Sequence, residues 1–281
     1  MSAVKIRASV SKWLLSAGNA LGLFPGLKRC PLIYNPLRKL LVFIVGGGLP
    51  AREIVSGPLR GYKMVLGLGD RNAYLVNTYE PITVELAQRL CQPGMQILDM
   101  GAHVGYFSLL FSVLVGPAGQ VYTLEPNPEN LKKIKSMIEI NGLQNIRVFP
   151  FAASDQTGDV QFITENTGSM GHITTLPAES RDAVVTVRAV RMDDLAFDHG
   201  VDRIDLIKMD VEGAELKALA GMSGLIRRCH PTIICEWHPA VAGPNYRTAF
   251  EGLGYHCEAL EAASATEPFH VLARPTARVQ A

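Results

Sequence analysis

Gln96-Ile97-Leu98-Asp99-Met100-Gly101-Ala102-His103-Val104-Gly105-Tyr106-Phe107-Ser108 decides how this chain is read. A short apolar run ends in an acid, a glycine-punctuated turn follows, and an apolar helical pattern runs from Tyr106 to Val115. Strand, tight loop and helix make the first half of a βαβ unit. At such a junction the loop N–H groups and the helix amino terminus point into the crevice beyond the strand ends. Open α/β sheets bind their ligands there.

Charge selects the ligand. The order Asp99-x-Gly101-x-x-x-Gly105 lacks the G-x-G opening that brings backbone close to a pyrophosphate. A carboxylate at Asp99 would repel phosphate and attract an ammonium group. S-adenosylmethionine has an ammonium, a sulfonium and no phosphate, so this loop suits it better than NAD. The competing reading is a plain strand-turn-helix with Asp99 as a cap. The next strand, Gly119 to Leu124, ends at Glu125. An acid roughly 20 residues past the glycine loop is where a ribose diol is expected, and adenosine in either ligand supplies one. Pro126 and Pro128 stop this strand, and Asn127 opens a helix.

These residues carry a family resemblance. Asp99-Met-Gly-Ala-His-Val-Gly-Tyr, Glu125-Pro-Asn-Pro, Ala153-Ser154-Asp155 and Lys208-Met209-Asp210-Val211-Glu212-Gly213-Ala214-Glu215 resemble the FkbM-type S-adenosylmethionine-dependent methyltransferases. The resemblance spans residues 74 to 273 and leaves out the first ~50 residues. It implies a Rossmann-like class I methyltransferase sheet, mostly parallel, with an antiparallel closing strand. It also implies that Glu80, Asp99, Gly101, His103, Gly105, Tyr106, Glu125, Asn127, Ser154 and Asp155 surround the cofactor. His103 stands where the family commonly has Asn.

The remaining chain alternates in the way a parallel sheet requires. Pro50 to Gly61 reads as a connector, and Tyr62 to Leu66 with Ala73 to Val76 as a small hairpin. Tyr79-Glu80-Pro81 opens a helix. A third strand is read at Ile146 to Phe151, and Ala152 to Asp155 closes it. Ser154 and Asp155 offer a hydroxyl and a carboxylate to an adenine amino group, or form a turn. Asp159 to Ile163 and Val184 to Val190 read as strands flanking a polar loop, Asn166 to His172, with the features of an acceptor lid. A loop histidine such as His172 is more often simply exposed than a base. The fourth strand, Asp205 to Asp210, and the fifth, Thr232 to Trp237, both end in ionisable groups. Tyr255 to Leu260 and Phe269 to Arg274 form the closing pair, and the tail from Pro275 reads as frayed.

Methyl transfer to a hydroxyl needs an in-line nucleophile and removal of its proton. Asp210, Glu236 and His238 are the candidates for this work, with a neutral His238 the best base near pH 7. The same residue types could hold a divalent metal that acidifies the hydroxyl, which is the less favoured reading. The function read is O-methylation of a sugar, glycolipid or polyketide-like small molecule. The alternatives are a nicotinamide-type Rossmann oxidoreductase or a non-catalytic nucleotide binder, and N-methylation stays open beside them.

Composition sets outer bounds. The 281 residues are 48% hydrophobic and carry a formal net charge of +1, a globular balance that gives no reason to expect nucleic acid. The five cysteines are scattered without a C-x-x-C spacing, which argues for reduced core thiols and a cytoplasmic setting. No acid precedes Glu53, whereas Lys5, Arg7, Lys12, Lys28, Arg29, Arg38, Lys39 and Arg52 do. Residues 1–60 therefore read as a basic amphipathic arm and connector before a methyltransferase domain at 61–281. The arm suits a peripheral membrane contact or self-association through residues 1–50, and its apolar run at Leu40 to Val45 is too short to span a bilayer.

Overall fold

A computed structural model describes residues 51–67, 70–164, 171–173 and 183–276. Of these, residues 52–65 and those from 70 onward belong to one compact unit, which therefore begins ahead of the boundary at residue 61 read from the sequence. The expectations for residues 1–50, for loop residues 166–170 and for the last five residues lie outside the described residues.

The strands that build the central sheet are β3 (Gln96–Met100), β4 (Gln120–Leu124), β5 (Ile146–Phe149), β10 (Leu206–Met209), β11 (Thr232–Trp237), β12 (Tyr255–Ala259) and β13 (Phe269–Pro275). Their order is β12-β13-β11-β10-β3-β4-β5. The β11-β10-β3-β4-β5 block is parallel throughout, and β13 joins it antiparallel to β11. This is the Rossmann-like class I arrangement expected. It brings the carboxyl ends of β3, β4, β10 and β11 to one edge.

Helices α1 (Pro81–Leu90), α2 (Tyr106–Val115) and α3 (Pro128–Asn141) connect the first strands. Sequence explains their ends. Pro81 and Pro128 occupy first turns, where a missing N–H costs nothing. Asn127 Oδ1 accepts the Glu129 N–H at 2.9 Å, a side-chain cap on α3. Later come α4 (Met192–His199), α5 (Glu215–Gly221), α6 (Ser223–Cys229), α7 (Pro239–Ala242) and α8 (Tyr246–Glu251).

Strand alternation divides the sheet residues between two faces. Leu98, Met100, Ile207, Met209, Ile233, Cys235, Trp237 and Val271 join one apolar cluster with residues of α4, α5 and α6. Their neighbours Asp99, Lys208, Glu236 and His270 must point the other way. A side-chain period of 2, applied in register, thus gathers Asp99, Lys208, Glu236 and His270 on one face.

Two expectations need correction. The hairpin read at Tyr62 to Val76 does not form. Instead β2 (Lys63–Val65) pairs with β1 (Ala51–Glu53), inside the stretch read as a connector. Asn72–Tyr74 make a 3-10 turn, in which the Leu75 N–H reaches Asn72 O at 2.9 Å. Local bonds therefore occupy backbone that a hairpin partner would need. The third strand also stops early, at Phe149. Pro150 has no N–H to donate, so the ladder ends there. Ala152–Ala153 (β6) join a second sheet, in which β6 pairs parallel with β9 (Ala183–Val190). β7 (Gly158–Thr164) pairs antiparallel with β9 and with β8 (Gly171–Ile173).

Candidate active site

The glycine loop after β3 is fixed by backbone conformation and close approach. Gly101, His103 and Gly105 have φ of 76°, 53° and 85°. A Cβ on Gly101 would lie 1.7 Å from the Asp210 carbonyl oxygen, so only glycine lets this loop meet the end of β10. The N–H groups of Gly101 and Ala102 both donate to Leu124 O, at 3.0 and 3.1 Å. The loop is thereby folded over the end of β4.

Glu125 ties that fold together. Its Oε2 accepts the His103 N–H at 2.7 Å, and its Oε1 accepts the Asn127 N–H at 2.8 Å and Asn130 Nδ2 at 3.3 Å. A carboxylate has about four acceptor positions, so one remains for a ligand hydroxyl. Burial raises the Glu125 carboxyl to about 7 against the pull of those three donors. The His103 ring sits 3.0 Å from the Tyr74 hydroxyl, and burial lowers it to about 4, so it is neutral. Tyr106 donates its hydroxyl to Asn77 Oδ1 at 3.1 Å and packs among Tyr74, Tyr79 and Phe107.

Asp99 does not stand open to a ligand as the sequence reading placed it. It is fully buried beneath α2, where Ser108 Oγ donates to its Oδ2 at 2.5 Å. Its Oδ1 has no hydrogen-bond partner among the described residues. Burial raises its pKa, with Lys208 and Ser108 opposing. The reason is the strand period, which aims Asp99 under the helix rather than along the crevice.

Lys208 is the buried cation of this face. Its Nζ lies 3.1 Å from Asp210 Oδ2 and 5.1 Å from the centre of the Phe107 ring. Burial alone would discharge it, but Asp210, Glu80, Asp99 and Glu236 hold the ammonium charged. Asp210 Oδ1 has no hydrogen-bond partner among the described residues. Burial and the nearby Glu80 and Glu212 raise Asp210, with Lys208 pulling it down. Glu236 is raised to about 7, first by burial and then by Asp210 and Glu80.

His238 does not fit the neutral base expected. Its Nδ1 lies 2.7 Å from Glu215 Oε1 and its Nε2 lies 3.2 Å from Glu212 Oε2. Burial would lower the imidazole, but these two carboxylates raise it to about 11. Both ring nitrogens are donors, so neither takes a proton. Glu80, at the start of α1, has φ 38°. Burial would raise its carboxyl, but His270, Lys208 and Tyr79 together hold it down at about 2.

Asp210, Glu236 and His238 converge: their ligating atoms lie within 4.8 Å of one another, as do those of Glu80, Glu236 and His270. Ser154 and Asp155 lie between β6 and β7 of the second sheet, with Ser154 Oγ donating to Asp155 Oδ1 at 3.2 Å. Asn127 spends its side chain on the α3 cap. Sequence reasoning missed His270 and Glu261. The alternation Phe269-His270-Val271 separates His270 from the core, but only the register Glu236↔His270 shows where it arrives.

The sequence profile described as the methyltransferase FkbM domain matches residues 99–257. The chain belongs to the FkbM methyltransferase family. It therefore carries an S-adenosylmethionine-dependent methyltransferase domain. It is 29% identical over 151 residues to 2-O-methyltransferase NoeI of Sinorhizobium fredii, covering 49% of this chain and 61% of NoeI. It is 23% identical over 143 residues to hexuronic acid methyltransferase AglP of Haloferax volcanii, covering 51% of this chain and 56% of AglP. The chain thus spans less than two thirds of the length of either relative. Among solved structures, an FkbM methyltransferase from Methylobacillus flagellatus is similar at 17% identity and TM-score 0.42, over 71% of this chain and 52% of that one. Among the described residues no helix is long and apolar enough to cross a membrane.

Proposed function

We propose that this FkbM-family protein transfers the methyl group of S-adenosylmethionine to a hydroxyl of a sugar, glycolipid or polyketide-like small molecule. The observation that carries this reading is the pairing of two features at one sheet edge. A glycine loop suited to the cofactor touches the Asp210 backbone, and one buried Asp210 carboxylate oxygen has no hydrogen-bond partner among the described residues. Glu125, with one acceptor position left, is assigned a ribose hydroxyl. Gly101, His103, Gly105 and Tyr106 form the loop wall, Glu80 faces the methionine end, and Ser154 and Asp155 the adenine.

A hydroxyl must lose its proton as it attacks the sulfonium methyl. The proton goes to a carboxylate, Asp210 with Glu236 beside it. His238 is reassigned from base to positioning residue, because Glu212 and Glu215 hold both of its nitrogens. The excess of acids on this face also suits the positive sulfonium before transfer. The names of two relatives, one for 2-O-methyl transfer and one for hexuronic acid, support an oxygen acceptor on a carbohydrate.

The test combines binding and turnover. Calorimetry should detect S-adenosylhomocysteine and not NADH. Labelled methyl donor with a panel of sugar and glycolipid acceptors should yield a product heavier by CH₂. Asp210→Asn should keep cofactor affinity and slow transfer by roughly a hundred- to ten-thousand-fold, the usual worth of a positioned base. Full turnover in both Asp210→Asn and Glu236→Gln would place the base elsewhere, and NADH binding alone would revive the oxidoreductase reading.

A further inference from the structure

The second convergent group, Glu80, Glu236 and His270, is built differently from the first. His270 comes from β13, whose antiparallel register sets it directly opposite Glu236 on β11. Its Nδ1 lies 3.0 Å from Glu261 Oε2, and its backbone N–H donates to the same oxygen at 2.9 Å. Glu261 thus fixes the ring orientation and keeps a proton on Nδ1. The opposite nitrogen, Nε2, is buried and has no hydrogen-bond partner among the described residues. It faces Glu80 Oε2, also buried and without a hydrogen-bond partner among the described residues, across 3.6 Å.

That distance is too long for a hydrogen bond. It is close to the ~3.4 Å that two atoms keep when each sits ~2.1 Å from a tetrahedral ion. A carboxylate behind an imidazole, with the far nitrogen aimed at two further carboxylates, is the arrangement by which proteins orient a metal-binding histidine. The group containing His238 lacks this feature, because Glu212 and Glu215 occupy both of its nitrogens.

We propose that Glu80, Glu236 and His270 bind a first-row divalent cation, with Glu261 holding the imidazole in its ligating tautomer. One imidazole nitrogen and two carboxylates suit Mn²⁺, Fe²⁺ or Zn²⁺ better than Ca²⁺, which takes an all-oxygen shell. The site lies beside Asp210 and shares Glu236 with it. A bound cation there would sit at the rim where the acceptor hydroxyl is assigned. The cation site itself needs no methyl donor or acceptor, so its test is independent of the methyl-transfer reading.

The probe is Mn²⁺ added to the chelator-treated full chain, with no cofactor present. Free Mn²⁺ is followed by electron paramagnetic resonance, and the bound ion by its coupling to ligand nitrogen. One equivalent should bind tighter than about 10⁻³ M with a single imidazole coupling. His270→Ala should remove that coupling and weaken binding at least about 100-fold. Glu261→Gln, at a partly exposed position that leaves the sheet intact, should keep the coupling and weaken binding about 10- to 100-fold. His256→Ala, an exposed histidine on β12, should change neither. Binding weaker than about 10⁻³ M by folded protein would overturn the proposal. So would binding that survives His270→Ala, or bound Mn²⁺ with no nitrogen coupling. Any of these would leave His270 as an ordinary cationic bridge between Glu80 and Glu261.

Discussion

Gly101→Ala tests the contact on which the site depends. At φ 76° a side chain costs about 1–2 kcal/mol from backbone crowding alone. The added methyl would also sit 1.7 Å from the Asp210 carbonyl oxygen and 2.8 Å from its carbon. Backbone atoms in a sheet do not swing aside as a side-chain tip does, so an overpacking cost of about 1–3 kcal/mol is added. The total is about 2–5 kcal/mol. Gly142→Ala supplies the control: Gly142 follows α3 at φ 64°, with nothing within 4 Å of its added methyl. It carries the backbone term and no clash, about 1–2 kcal/mol. At about 2–4 °C per kcal/mol, melting should fall by about 3 °C for Gly142→Ala and by about 10 °C for Gly101→Ala. Calorimetric melting of both variants measures this, and S-adenosylhomocysteine titration should show weakened binding for Gly101→Ala alone. Equal melting losses would refute the argument that the β3 loop is pressed onto the end of β10.

Three further outcomes are expected. The folded Glu125 carboxyl, at about 7, lies above its ordinary value of 4.5, so the stability tied to its proton is present below 4.5 and lost as pH rises through 7. Accepting a ribose hydroxyl favours the ionised form, so S-adenosylhomocysteine should bind roughly tenfold tighter at about pH 8 than at about pH 6, with Glu125→Gln flattening the profile in titration calorimetry. Lys208→Met removes the ion-pair partner of Asp210 and should cost about 3–5 kcal/mol in urea unfolding, because it strands buried carboxylates. Asp193→Ala removes the acceptor for the Gly224 and Leu225 N–H groups at the start of α6. It should cost about 1–2 kcal/mol in the same assay and leave cofactor affinity unchanged.

The parallel sheet was legible because apolar runs ending in Asp99, Glu125, Asp210 and Glu236 encode strand and crevice edge together. What stayed hidden was whatever depends on register. Asp99 reads as a pocket acid in one dimension, yet Ser108 on the facing side of α2 claims it. His238 reads as a free base, yet Glu215, 23 residues earlier, is brought to its Nδ1 by the turn of α5. His270 and Glu261 carry no local signal, since their meaning arises only where β13 runs antiparallel beside Glu236. The hairpin expected at Tyr62 to Val76 failed for a similar reason. Lys63–Val65 found its partner upstream, in a three-residue strand too short to show a period.

The crowding of acids around Lys208 has a reciprocal side. Asp99, Asp210 and Glu236 hold their protons more tightly than free carboxyls because burial and mutual repulsion penalise their charge. A positively charged guest relieves that penalty, so its arrival lowers the hold on the proton of Glu236, which sits at about 7, and hydrogen ions pass to the solvent. The heat of binding a sulfonium would then vary with the ionisation enthalpy of the buffer, whereas the heat of binding its neutral thioether product would vary less. On this chain, discrimination between donor and spent donor would be written in the number of protons exchanged.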